Sequence, residues 1–135
     1  MNADPLHETT RTKLDQVSRT LLHLHKSLLD DERAIYEAVH GQVLSSHEMF
    51  RLVTSDPQFM WLGKISSLIV LLDEAASLRR PATETNAKAL LAEALTMLQL
   101  ESEDPTFTER LQRGLKRSTA ANANYETALQ VAIAE

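Results

Sequence analysis

From Leu14 onward, apolar side chains return at alternating three- and four-residue steps. They run Leu14, Val17, Leu21, Leu24, Leu28, a missed step at Asp31, then Ile35 and Ala38. That heptad spacing keeps one stripe of a helix apolar, and no Pro or Gly interrupts it, so it predicts one long helix from about His7 to His40. The acidic pair Asp30-Asp31 is its weak point. Gly41 follows, a residue that takes the left-handed conformation of a helix stop without a Cβ penalty.

Ser45 and Glu48 stand at capping-box spacing and open a short helix that carries Leu52 and Val53 and ends before Asp56-Pro57. Asp56 then caps a new helix with Pro57 in its first turn, where the missing N–H costs little. Its stripe of Phe59, Leu62, Ile65, Ile69, Leu72 and Ala76 runs to about Arg79. With Trp61, Leu68 and Leu71 on neighbouring faces, this helix is expected to be the most buried of the chain. Pro81 separates it from a helix spanning about Thr83 to Leu100, with Ala87, Leu90, Leu91, Ala94, Leu95 and Leu98. Asp104-Pro105 begins a last helix bearing Phe107, Leu111, Leu115, Tyr125, Leu129 and Ala132, weakest between Thr119 and Asn124. Alternation of β-branched residues is absent, so the fold class is all-α. Four long helices on short connections pack most simply as a four-helix up-down-up-down bundle, with the additional short helix at 45–54 bracing one end.

A chain of 135 residues is one domain's worth, enough for a hydrophobic core without staples, and residues 1–6 read as a flexible lead-in. The absence of cysteine rules out disulfides, thiolate metal sites and a cysteine nucleophile, and the start Met1-Asn2-Ala3-Asp4-Pro5 has no apolar signal segment. The longest strictly apolar run, Leu68 to Leu72, is far short of a bilayer span. A cytoplasmic location and no membrane partner are expected. The formal net charge of -5 argues against nucleic acid, whose binding draws on many Lys and Arg. The basic patches Arg79-Arg80 and Arg110 to Arg117 read as helix-end or solvated positions.

The residues His40-Gly41, Asp56-Pro57-Gln58-Phe59-Met60-Trp61-Leu62, Ser66-Ser67-Leu68-Ile69 and Asp73-Glu74 resemble a group of small uncharacterised bacterial all-helical proteins sharing an Asp-Pro-x-Phe-x-Trp-Leu segment. About a quarter of the chain carries the resemblance. It implies a helical fold and no known activity, cofactor or catalytic residue. Where that group has Arg-Pro after Trp-Leu, this chain has Gly63-Lys64, a departure that loosens the helix there.

The motif with metal-site spacing is Glu37-x-x-His40, since a carboxylate and an imidazole three residues apart on a helix reach one ion in di-iron bundles. Those bundles use two such motifs, and there is no second one here. The seam also places Glu37 and His40 away from the core. His40 and His47 flank one short loop and, with Glu48, form the other metal candidate, although a helix-end His and a first-turn His are ordinary residues. His23 and His25 lie on opposite sides of their helix. Ser66 and Ser67 lack a nucleophile elbow and suit close packing or back-bonding. Asp73 and Glu74 are either buried carboxylates or, more commonly, a solvated flank. The three glycines are isolated, so no phosphate cradle exists.

Phe59, Met60 and Trp61 are consecutive, so at least one faces away from the stripe and forms a candidate partner or ligand surface, unless Met49, Phe50 and Val53 cover it. The expectation is therefore a bacterial, cytoplasmic, non-enzymatic protein-interaction or assembly module, a homo-oligomer or the partner of another protein, with no cofactor. The alternatives are a metal-binding bundle using Glu37, His40, His47 and Glu48, and a small-molecule sensor with an inter-helix pocket lined by Phe59 and Trp61.

Overall fold

The computed structural model describes residues 3–42 and 44–134, and all of its regular structure is helical. The helices are α1 (Glu8–His40), α2 (Ser46–Ser55), α3 (Pro57–Met60), α4 (Gly63–Ala75), α5 (Glu84–Leu98), α6 (Pro105–Arg117) and α7 (Thr119–Ile133). The expected four-helix up-down-up-down bundle with one extra short helix is thus overturned: among the described residues, seven helices pack together. Two of the expected long helices are each divided.

The first break is at Trp61-Leu62. Leu62 N–H bonds to Phe59 and Ile65 N–H to Leu62, three-residue bonds that tighten the turn between α3 and α4. The tightening sends Phe59 and Trp61 into different cores. The second break is Ser118, whose extended backbone ends α6 and whose hydroxyl accepts from Ala121 N–H to cap α7. Elsewhere the local signals act as read. Gly41 is left-handed with φ 68°, Ser45 and Glu48 form a reciprocal capping box, and Asp56 caps α3 ahead of Pro57.

Helix α1 runs through the middle of the molecule and touches α3, α4, α5, α6 and α7. Its contacts set the directions of its neighbours. Arg11 donates to the Ala76 carbonyl, Ser18 to Asp73 and Trp61 to Glu32, so α4 runs antiparallel to α1. Lys13 reaches the Ala134 carbonyl and Asn124 the His23 carbonyl, so α7 is antiparallel to it as well. The main core joins Leu14, Val17, Leu21, Leu24 and Leu28 to Ile65, Leu72, Ala94, Leu98, Leu111 and Ala128. A second, smaller core of Leu44, Met49 and Phe59 lies at the far end of α1, with Tyr36, Leu52 and Val53 against it.

The N-terminal segment is tied to α5. Asp4 accepts N–H bonds from Glu84 and Thr85, while Glu84 accepts from the His7 N–H and the Thr10 hydroxyl. The N-termini of α1 and α5 therefore satisfy each other's free donors. Met1 and Asn2, part of the lead-in expected to be flexible, lie outside the described residues.

Candidate functional site

Three of the four metal candidates, Glu37, His40 and Glu48, are engaged in local structure. Glu37, placed away from the core by the seam, is half-buried and accepts the Leu44 N–H at 2.7 Å and Arg33 Nε at 3.2 Å. The Leu44 N–H foremost, and then Arg33, hold its carboxyl below the usual range. Arg33 also donates to the Leu44 carbonyl, so this pair pins the loop after Gly41. His40 stacks on Tyr36 with ring centroids 3.9 Å apart, and its Nδ1 lies 2.9 Å from the Tyr36 carbonyl. Glu48 accepts from Ser45 N–H, and His47 is exposed in the first turn of α2. Among the described residues, no group of three or more His, Asp or Glu side chains is disposed to hold a metal ion.

The consecutive trio of Phe59, Met60 and Trp61 is split three ways. Phe59 is 0% exposed in the second core, Trp61 is buried in the main core against Phe107, and Met60 is 51% exposed. Met49 covers Phe59 from α2, whereas Phe50 points outward. Surface clefts among α1, α4, α5, α7 and the loops are lined by polar and apolar residues alike, Leu68, Leu91, Met97 and Val131 among them, and neither Phe59 nor Trp61 lines these clefts.

Glu32 is the residue that the pattern concealed. It is 3% exposed, its carboxylate accepts Trp61 Nε1 at 2.9 Å, and Gln58 donates to its backbone carbonyl at 3.0 Å. Arg117 approaches the same carboxylate at 3.5 Å while pairing with Asp31 at 2.9 Å. A buried carboxylate requires such partners, so this network fixes α3 and the end of α6 against α1. The available signal was its position four residues after Leu28, on the same side of a straight helix.

The remaining candidates have ordinary surroundings. Ser66 donates back to the Gly63 carbonyl, Ser67 is exposed, and Asp73 and Glu74 are solvated. Arg79 and Arg80 lie in the loop after α4, where their N–H groups bond to Ser77. Arg113 pairs with Glu109 one turn away.

What stands out is the outer side of α4. Five consecutive apolar residues, Leu68 to Leu72, advance about 100° each and so make one turn apolar on every side. A helix apolar all round is normally buried all round. Here α1 and α5 cover Leu68, Ile69 and Leu72, whereas Val70 remains 53% and Leu71 45% exposed. The helix expected to be the most buried thus keeps an open apolar face.

Protein-family models, curated proteins and solved structures provide no match to this chain. None of its described helices is long and apolar enough to cross a membrane.

Proposed function

We propose that the chain is a non-enzymatic protein-interaction or assembly module of the bacterial cytoplasm, working through an apolar helical face. The observation that carries this reading is the turn Leu68–Leu72, apolar on all sides but covered on one. Exposing Val70 and Leu71 in the middle of the chain's most apolar segment costs solvation free energy that a partner's surface would recover. Single exposed apolar residues are common, but two adjacent ones flanking a buried stripe form a ready contact. The bacterial setting rests on the shared Asp-Pro-x-Phe-x-Trp-Leu segment, and the cytoplasmic one on the cysteine-free composition. A protein partner fits a surface of net negative charge better than nucleic acid does.

Native mass spectrometry of the untagged protein, together with recovery of partners from lysate, tests the reading. A complex, either with itself or with another protein, that is lost when Val70 is changed to Asp is the expected result. A strictly monomeric chain that recovers no partner overturns it.

A further inference from the structure

We infer that the open face of α4 is a self-complementary surface that docks against α4 of a second copy of this chain, antiparallel about a two-fold axis near Ile69. The inference rests on the interaction reading above and names its partner. Two observations carry it, one apolar and one electrostatic.

The apolar one is the exposed stripe itself. Lys64, Ser67, Leu71 and Glu74 recur at steps of three, four and three along α4, with Val70 beside them, and all are at the surface or nearly half exposed. This is the spacing of a helix-packing seam whose partner the chain does not supply. Leu22 extends it: Ser18 donates to Asp73 across the α1–α4 seam, and one turn further along Leu22 and Val70 stand at the same level, each 53% exposed.

The electrostatic one is the order of charges. Lys64 and Glu74 lie five positions on either side of Ile69. A two-fold axis there brings Lys64 of each copy to Glu74 of the other and sets the small Ser67 opposite Leu71. An isologous contact requires this kind of self-match, with residue i meeting j and j meeting i. Neither Lys64 nor Glu74 forms an ion pair among the described residues; Lys64 lies 5.3 Å from the Phe107 ring centre. A parallel pairing would instead set lysine by lysine and glutamate by glutamate.

The size of the face sets the strength. A helix of 13 residues is about 20 Å long, and one such face with its flanks falls below the roughly 800 Å² per partner of a standard interface. The dimer is therefore a weak one, with a dissociation constant on the order of micromolar.

Sedimentation equilibrium of the full untagged chain, from about 1 µM to about 1 mM, reads this directly. The expected result is a monomer–dimer equilibrium whose dissociation constant rises at least about tenfold in Val70→Asp. Lys64→Glu alone and Glu74→Lys alone should each weaken it by a similar factor. The double variant should return to within about threefold of wild type, because the exchange restores both pairs across a two-fold axis. All three substituted positions are exposed, and far-UV circular dichroism checks that each variant is folded. A chain that stays monomeric throughout, a dimer indifferent to Val70→Asp, or a double variant that is not rescued overturns the inference. A photo-crosslinker on Ser67→Cys then separates the two readings. If it captures a different protein, lost with Val70→Asp, the second-copy inference falls and the interaction reading stands; if it captures nothing and the chain is monomeric, both fall.

Discussion

Trp61 donates its indole N–H to the carboxylate of Glu32 at 2.9 Å, joining the turn between α3 and α4 to a buried position on α1. Glu32 is 3% exposed, so its carboxylate oxygens find their partners in that donor, Gln58 and Arg117 rather than in water. Removing the carboxylate with Glu32→Ala leaves the indole N–H without a partner in the core and is expected to cost about 3 kcal/mol. Glu32→Gln keeps an acceptor for Trp61 and should cost roughly 1 kcal/mol. Urea unfolding followed by circular dichroism measures both, and a Glu32→Ala variant as stable as wild type would show that the network is dispensable.

Gly114 gives a second, sharper case. A Cβ placed there would come within 2.8 Å of Leu28 Cδ2, in the fully packed region between α1 and α6. In an exposed helix, Gly→Ala stabilises by about 1 kcal/mol. At this position the methyl must displace Leu28, so Gly114→Ala is expected to destabilise by about 1 kcal/mol, within the usual range for overpacking. In a Leu28→Ala background the obstruction is gone, and the same change should stabilise by roughly 0.5–1 kcal/mol. A double-mutant cycle in urea tests the sign change, and additive effects would remove the close approach as the reason for glycine.

These two sites show what the sequence made legible and what it hid. Features decided within one turn were readable: the left-handed Gly41, the Ser45–Glu48 box and the Asp56-Pro57 start all appear where local chemistry puts them. Glu32 was hidden because a heptad count places the next core position at Asp31. A straight helix drifts by about 20° per heptad relative to that count, and two heptads from Leu14 to Leu28 are enough to turn the seam onto Glu32. The division at Trp61-Leu62 depends on partners far along the chain, Glu32 for Trp61 and Met49 for Phe59. Ser118 did carry a cap signal, preceded by Lys116 and Arg117 in a helix's last turn, but apolar spacing that continued through to Ala132 masked it. Periodicity located the α4 stripe yet could not reveal that too few helices surround it to cover Val70 and Leu71.

The knot at Glu84 predicts a pH dependence. The His7 N–H first, and the Thr10 hydroxyl after it, hold the Glu84 carboxyl below its ordinary value near 4.5, against the opposing effect of burial; His7 and Lys88 add attraction. A carboxyl depressed in the folded state contributes stability that is fully present above the unfolded value. That contribution is lost as pH falls through the folded one. Wild type is therefore expected to exceed Glu84→Gln in stability at pH 7, with the difference shrinking as pH falls below about 4.5. Thermal unfolding of both proteins between pH 7 and pH 3 checks it, and a difference that does not change with pH would exclude the ionised Glu84 as the source.

Leu100 ends α5 in the left-handed region, at φ 62°, a conformation that glycine usually provides. It does so to complete a six-residue closure: Glu101 N–H bonds to the Thr96 carbonyl while Leu100 N–H bonds to that of Met97. The Cβ strain of that conformation, about 1 kcal/mol, is tolerated because the side chain packs against the main core. The two contributions separate in a pair of variants. Leu100→Ala loses the packing and keeps the strain, whereas Leu100→Gly loses both, so the glycine variant is expected to be the more stable of the two by about 1 kcal/mol. This reverses the order found inside helices, where alanine exceeds glycine by a similar amount. Chemical denaturation of the two variants decides it: an alanine variant at least as stable as the glycine one would mean that Leu100 is not strained.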